Sequence, residues 1–328
     1  MQLRPLGRAG DQISEIGFGC GNVGGLLIRG EPREHVRAIA RAIELGITYF
    51  DTAAQYGDGR SEESLGRALA ELRADVMVGT KINVSHGDLV QGESRVRALL
   101  QQGLDRLNRK SVDVLFYHGR ITDAESSGSH GLSDVEVRGP LLEAMRALKR
   151  DGLVRYIGFT GLGDTEAVAR VVQSGAYDVF HCYYNAVNPS AGYPVPSTFA
   201  AQNLGRILDL ARTSGTAPFA IRILAAGALA GDVPRHAIAG GTGGVLVAGT
   251  EYEGDVARAE RLRPIAQELG IGLPELAIRF ALSRVEFASA LVGISSVEQV
   301  ESAARAAAAG PLPGDLVERV VQTSLEAA

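Results

Sequence analysis

Short runs of β-branched and aromatic residues alternate along the chain with segments whose apolar positions fall three and four apart. The runs that read as strands are ISEIGFG ending at Gly19, ITYFD at 47–51, VMVGTK at 76–81, VDVLFYH at 112–118, VRYIGFT at 154–160, YDVFHCY at 177–183, FAIRIL at 219–224 and ALVG at 290–293. Between them, Val36, Ile39, Ala40 and Ile43 keep helical spacing, as do Val96, Leu99, Leu100, Leu104 and Leu107. Punctuation agrees: Pro32 opens one helical segment and Gly46 closes it, and Gly152 and Gly270 end later ones. Eight strand–helix units in succession predict a parallel sheet, and eight are enough to close a (β/α)8 TIM barrel. No linker or shift of composition interrupts the pattern, so residues 1–328 read as one domain. Ahead of the first barrel strand, LRPLG and QISEIG flank the turn-prone RAGD, which predicts an N-terminal β-hairpin across the barrel floor.

Two connections exceed ordinary loop lengths, residues 119–139 and 225–254, and both are rich in Gly, Ser or Asp. Each follows a strand C-terminus, the face where barrels carry their chemistry, so these long βα loops are expected to border substrate and cofactor. Composition narrows the partners. Apolar residues make up 45% of the chain and charged residues 22%, as in ordinary globular proteins. A formal net charge of -5 without a basic stripe argues against nucleic acid or an anionic membrane, leaving a small molecule as the expected partner. No apolar run approaches a membrane span, and MQLRPLGRAG lacks a signal-peptide core, so a cytoplasmic location is expected. Cys20 and Cys182 are too few for a disulfide framework, and the six histidines show no zinc-ligand spacing, so no metal is expected. His35, His86, His130 and His236 sit in helical or loop contexts without evident charge partners and are expected at the surface. Whether the chain forms a homo-oligomer stays open.

GCGNVG at 19–24 matches a dinucleotide-binding glycine pattern after a strand, but LLIRGEP follows it, with Gly30 and Pro32 ahead of any helical period. A helix must begin inside that pattern for its N-terminus to hold pyrophosphate, so a Rossmann domain is not supported. A different set carries more: DTAAQYG at 51–57, SEESLGRAL at 61–69, GTK at 79–81 and FYH at 116–118. Asp51, Lys81 and His118 end three different predicted strands, and Tyr56 lies five residues beyond one of them, so a barrel would gather them on one rim. A lone Asp or Lys at a strand end is ordinarily a solvated loop residue, and a lone Tyr a packing aromatic. Convergence of all four changes that reading.

With IGFG near the start, IGFTG at 157–161 and VGISSVEQV at 292–300, the chain resembles the aldo-keto reductase family along nearly its whole length. The resemblance implies an NAD(P)-dependent oxidoreductase interconverting carbonyl and alcohol groups by hydride transfer, with Asp51, Tyr56, Lys81 and His118 as its catalytic four. Tyrosine, with a pKa near 10, is a poor proton donor at neutral pH. A lysine cation about 4 Å away contributes roughly 4 kcal/mol at an effective dielectric of about 20, lowering that pKa by about 3 units before desolvation opposes it. Asp51 is expected to hold Lys81, and His118 to polarise the carbonyl oxygen. Asn22 and Arg120 join Tyr56 and His118 as expected substrate contacts. The segment GFTGL at 158–162 is similar to the sugar-oxidising branch of the family, the L-galactose and L-fucose type of aldose dehydrogenase, and the polar loop 119–139 suits a hydroxylated substrate. That loop is expected to touch substrate rather than coenzyme. A non-catalytic regulatory subunit is the alternative, because potassium-channel β subunits resemble the family too.

For the coenzyme, the resemblance implies contacts from Cys20, Gly21, Asp51, Thr160, Gly161, His181, Arg222, Leu224, Ala225, Gly227, Gly293, Ser295, Ser296 and Gln299. Several depart from the family pattern. Gly161 and His181 stand where an Asn and a Gln hold the nicotinamide carboxamide, and Ile221-Arg222-Ile223-Leu224 replaces an aromatic-Ser-Pro-Leu run. Arg222 suits a pyrophosphate oxygen or, equally, a rim ion pair. Cys20 also reads as a small buried residue, and His181 and Cys182 as core positions. The Lys and Arg that often clamp a 2'-phosphate are missing, with Gly293, Gln299 and Ala303 at the matching positions, so NAD(H) is expected to serve at least comparably to NADP(H). Ser295 and Ser296 are either donors to that phosphate or plain helix caps.

Overall fold

The eight parallel strands close on themselves, so that alternate side chains face the barrel lumen and the surrounding helices. The computed structural model describes residues 1–123, 131–231, 233–241 and 244–326. Strands β1 (Leu3–Leu6) and β2 (Asp11–Ser14) form the expected antiparallel hairpin. The barrel strands are β3 (Ile16–Gly19), β4 (Tyr49–Asp51), β5 (Met77–Ile82) and β6 (Val112–Tyr117). After two loop strands, β7 (Arg120–Thr122) and β8 (Gly131–Ser133), the barrel continues with β9 (Val154–Gly161), β10 (Val179–Tyr183), β11 (Ala217–Ile221) and β12 (Ser289–Gly293). All barrel pairings are parallel, and β12 pairs with β3 to close the ring.

The barrel lumen is filled, not hollow. Tyr49, Val114, Phe116, Tyr156, Val179, Phe219 and Leu291 pack inside it, and Leu6 and Ile13 of the hairpin plug its floor. Full burial of Leu6 and Ile13 contributes about 1.5–3 kcal/mol each. Arg4 pins the hairpin there, donating to the carbonyls of Leu282 at 2.8 Å and of Arg284 and Phe287 at 3.1 Å. Opposite faces of the same strands pack on the surrounding helices in a second core that includes Ile16, Phe18, Phe50, Val78 and Leu115.

Four details depart from the sequence reading. The seventh barrel strand stops at Ile221 rather than 224, because Arg222 takes a left-handed φ of 58° and Ala225 and Ala226 follow at 45° and 56°, which no ladder can continue. The described residues of the loop after β6 include β7 and β8, which pair in parallel, and Ser133 and Glu136, which cap one another. His35 is not at the surface but 5% exposed, on the inner face of the helix Pro32–Glu44, where burial lowers its pKa. His86 is exposed yet has a charge partner, Glu136. His236 is exposed as expected, and His130 lies outside the described residues. Among the described residues, no helix is long and apolar enough to cross a membrane.

Candidate active site

Period-two alternation sends Tyr49 and Asp51 of β4 inward together, as it does Gly79 and Lys81 of β5. Lys81 lies opposite Phe116 in the register with β6, and His118 follows two residues later. The four expected catalytic side chains therefore meet at the C-terminal rim of the barrel. Lys81 is 2% exposed, and its ammonium donates to Asp51 Oδ1 and to the Thr52 carbonyl at 2.7 Å, with Tyr56 as its third neighbour. Its nitrogen stands 4.5 Å from the centre of the Tyr56 ring.

Asp51 has donors on both oxygens. Besides Lys81 on Oδ1, its Oδ2 accepts from His181 Nε2 at 3.1 Å and from the Tyr49 hydroxyl at 3.2 Å. Burial pushes the Asp51 carboxyl up, but Lys81 and His181 outweigh it and hold the group well below the usual carboxylate range. Burial likewise depresses Lys81, and Asp51 more than restores it, so this ion pair stays charged. Tyr49 was not foreseen as part of the site. Its position two residues before Asp51 is the signal that would have found it. Gly79 makes room for it, because a Cβ there would collide with the Tyr49 hydroxyl. Gly79→Ala is expected to break the Tyr49–Asp51 bond and destabilise the protein by about 1–3 kcal/mol, the range for overpacking a core. Urea denaturation measures it, and an unchanged midpoint would contradict this packing.

Tyr56 projects from a turn. Its amide donates to the Ala53 carbonyl at 3.1 Å, and Asn22 Oδ1 accepts from the Gly57 amide at 3.2 Å. Ser61 ties that turn to the barrel, pairing with Thr52 Oγ1 at 2.8 Å and donating to the Cys20 carbonyl at 2.9 Å. Next to it, buried Glu62 accepts from Thr80 and from Arg106 at 2.7 Å, which makes the first acidic residue of SEESLG a helix-to-barrel anchor, while Glu63 is exposed. The tyrosine's ionisation corrects the electrostatic expectation. Burial raises the Tyr56 pKa by more than Lys81 lowers it, so the phenol is held protonated. The His118 ring meets the Tyr56 ring edge-on at 5.6 Å, and burial, with Lys81 second, pushes its pKa down to about 3. At neutral pH the rim therefore holds a neutral imidazole and a neutral phenol, backed by a buried cation.

The residues expected around a coenzyme are dispersed along the same rim. Thr160, on β9, has a buried hydroxyl without a hydrogen-bond partner among the described residues, and it stands beside His181 in the β9–β10 register. A Cβ on Gly161 would lie 2.7 Å from the His181 carbonyl oxygen, which accounts for the missing side chain there. His181 itself faces Asp51 and stacks on Phe116 at 3.9 Å. Arg222 and Ala225 line a cavity of about 270 Å³ with Tyr183, Leu246, Thr250 and Asp255. Leu224 is half-buried, and Gly227 takes a φ of 101°. A Cβ on Gly21 would lie 3.4 Å from the Tyr56 ring, whereas the Cys20 thiol is turned inward towards the Phe18 carbonyl, with burial raising its pKa. Gly293 is exposed at the end of β12. Ser296 caps the helix Val297–Ala308, its hydroxyl accepting from the Gln299 amide, while Ser295 donates to the Gly24 carbonyl at 2.6 Å. The Gln299 side chain accepts from the Ser295 amide at 2.8 Å. Arg120 reaches across the rim to donate to the Leu246 carbonyl at 2.9 Å, joining the two long loops.

Comparison with known proteins agrees with this architecture. The L-galactose dehydrogenase of Arabidopsis thaliana is 29% identical over 309 residues, covering 92% of this chain and 86% of that protein. A probable voltage-gated potassium channel subunit beta, also from Arabidopsis thaliana, is 26% identical over 98% of this chain and 97% of its own. Among solved structures, an aldo/keto reductase from Klebsiella pneumoniae in complex with NADP and acetate superposes with a TM-score of 0.71 at 19% identity, covering 100% of this chain and 97% of that one. The sequence pattern of the aldo/keto reductase family matches residues 15–324. The chain belongs to the aldo/keto reductase family of oxidoreductases.

Proposed function

We propose that the protein interconverts carbonyl and alcohol groups on small polar substrates, sugars foremost, using NAD(P)(H), with Tyr56 as general acid in reduction and general base in oxidation. The observation that carries this reading is the buried Asp51–Lys81 pair facing the half-buried Tyr56, beside a neutral His118 at the barrel rim. A bound nicotinamide coenzyme supplies or accepts the hydride. The protein's part is to hold the oxygen and move its proton. The one N–H of a neutral His118 polarises the carbonyl oxygen, Tyr56 gives its proton to the developing alkoxide, and Lys81 stabilises the tyrosinate left behind. Because burial keeps Tyr56 above its ordinary range, the acid form persists through neutral pH, and the oxidation direction should accelerate as pH rises.

Coenzyme binding is supported by the unpartnered buried hydroxyl of Thr160, which a carboxamide would satisfy, and by Arg222 and Ala225 along the cavity. Gly21, Gly161, Leu224, Gly227 and Gly293 would offer backbone along the same path. Preference between coenzymes rests on Ser295, Ser296 and Gln299. The Ser295 hydroxyl, the Ser296 hydroxyl and the Gln299 side-chain oxygen are already engaged with one another's segment and with Gly24, and no Lys or Arg lies between 293 and 303. Loss of two charge-assisted bonds of about 1.5–3 kcal/mol each removes roughly 10²-fold to 10⁴-fold of any preference for a 2'-phosphate. NADH is therefore expected to bind at least comparably to NADPH. Fluorescence titration checks it, and NADPH binding more than a hundredfold tighter would refute it.

Sugars lead the substrate list because of the GFTGL segment, the polar loop after β6 and the L-galactose dehydrogenase relative. A panel of aldoses and small aldehydes, run with both coenzymes in both directions and followed at 340 nm, tests the whole reading. Turnover on none of them would favour the regulatory-subunit alternative that the potassium-channel relative keeps in view. The complete catalytic four does not separate the two readings, and the L-galactose dehydrogenase relative favours the enzyme.

A further inference from the structure

We infer that His181 is a positioning residue for the catalytic chain: it fixes the Asp51 carboxylate so that Oδ1 faces Lys81, and it acts on the reaction through Asp51 rather than by gripping the coenzyme. This rests on the oxidoreductase reading above. An ionised carboxylate only accepts, so the 3.1 Å contact requires His181 to donate from Nε2, which fixes the tautomer of a neutral imidazole. The ring that makes this bond cannot turn away. It is 1% exposed, stacked on Phe116 with centroids 3.9 Å apart and planes 16° from parallel, and met edge-on by Phe219 at 6.1 Å.

The geometry divides the work at Asp51. Tyr49 and His181 hold Oδ2 from β4 and β10, and Oδ1 is left for Lys81 on β5. Three strands thus fix one carboxylate, and through it the ammonium that faces Tyr56. Removing the histidine donor leaves Tyr49 alone on Oδ2 and lets the carboxylate rotate away from Lys81. The groups facing Asp51 are Lys81, His181, Tyr49, Tyr56, His118 and the Cys20 thiol, and of these only His181 and Tyr49 address Oδ2. Loss of His181 therefore makes protonation of Asp51 easier, and an acid-side limb of kcat moves to higher pH.

Three measurements test the inference. In ¹⁵N-edited NMR of the wild-type protein, His181 should show the Nε2–H tautomer, and Asp51→Asn should shift that resonance. His181→Leu should lower kcat about 10-fold to 100-fold, the value of a hydrogen bond to a charge. It should also raise the acid limb while leaving the coenzyme Kd within about twofold. His181→Gln, which can still donate, should recover most of the rate. An Nδ1–H tautomer, or a His181→Leu enzyme that loses coenzyme affinity at unchanged kcat and unchanged pH profile, would overturn it. If His181→Leu fails to fold, the tautomer and the Gln variant decide. A wild-type protein without turnover on any carbonyl or alcohol would fail the functional reading instead, and the NMR result would still judge the bond.

Discussion

Replacing Tyr56 by Phe is expected to lower kcat by about 10²-fold to 10⁴-fold, the range for a positioned general acid, while coenzyme binding stays nearly intact. The reasoning is geometric. The hydroxyl is the only part of the side chain removed, and its partner is Lys81, so the loss falls on proton transfer. The turn that carries residue 56 is held by backbone and by Ser61 and Asn22, none of which the substitution touches. Steady-state rates with any substrate found in the panel, together with coenzyme titration, measure the two halves separately. Turnover within threefold of wild type would remove Tyr56 from the chemistry.

Lys81→Met is expected to damage both activity and stability. Rates should fall to a similar degree, and any limb assigned to Tyr56 should move upward, because burial would then act on the phenol without an opposing cation. Stability should fall by about 3–5 kcal/mol, because Asp51 would remain buried without its charge partner. The pH dependence carries a distinct sign. In the wild type the folded pKa of Asp51 lies below the unfolded one, so its contribution is present above the unfolded value and is lost as pH falls through the folded value. In the variant, a proton taken up by Asp51 or by His181 relieves the burial, so the folded pKa rises and the deficit should shrink from pH 8 to pH 5. Urea denaturation at the two pH values reads this difference. A deficit that widens with acid would mean that Asp51 is not the group left exposed to the loss.

The barrel was legible because hydrophobic period and helix punctuation repeat eight times, and the convergence of Asp51, Tyr56, Lys81 and His118 because each stands at a strand end or in the turn just after one. What resisted reading was set by contacts between distant segments. Nothing local to Arg222 announces that its strand stops early, since Phe219, Ile221 and Ile223 around it favour a ladder, while the left-handed backbone at 222, 225 and 226 follows from how the chain turns over the rim. His35 reads as a surface residue because it stands in a helical context without an evident charge partner, yet it falls on the inner face of its helix. The Tyr56 pKa moves up and not down because the desolvation that opposes the Lys81 cation outweighs it, a balance that the pairwise Coulomb argument could name but not weigh. His181 was readable as inward-facing, but its choice of Asp51 required the register between strands far apart in sequence.

The bond from Arg120 to the Leu246 carbonyl makes the two long loops a matched pair. Because the acceptor is backbone, residue 246 is free to change in identity without loosening the link, whereas an insertion or deletion between β11 and that carbonyl would move the acceptor out of reach. Loop grafting meant to redirect this scaffold to another substrate should therefore exchange both segments together, and libraries should vary side chains on 244–250 before varying length.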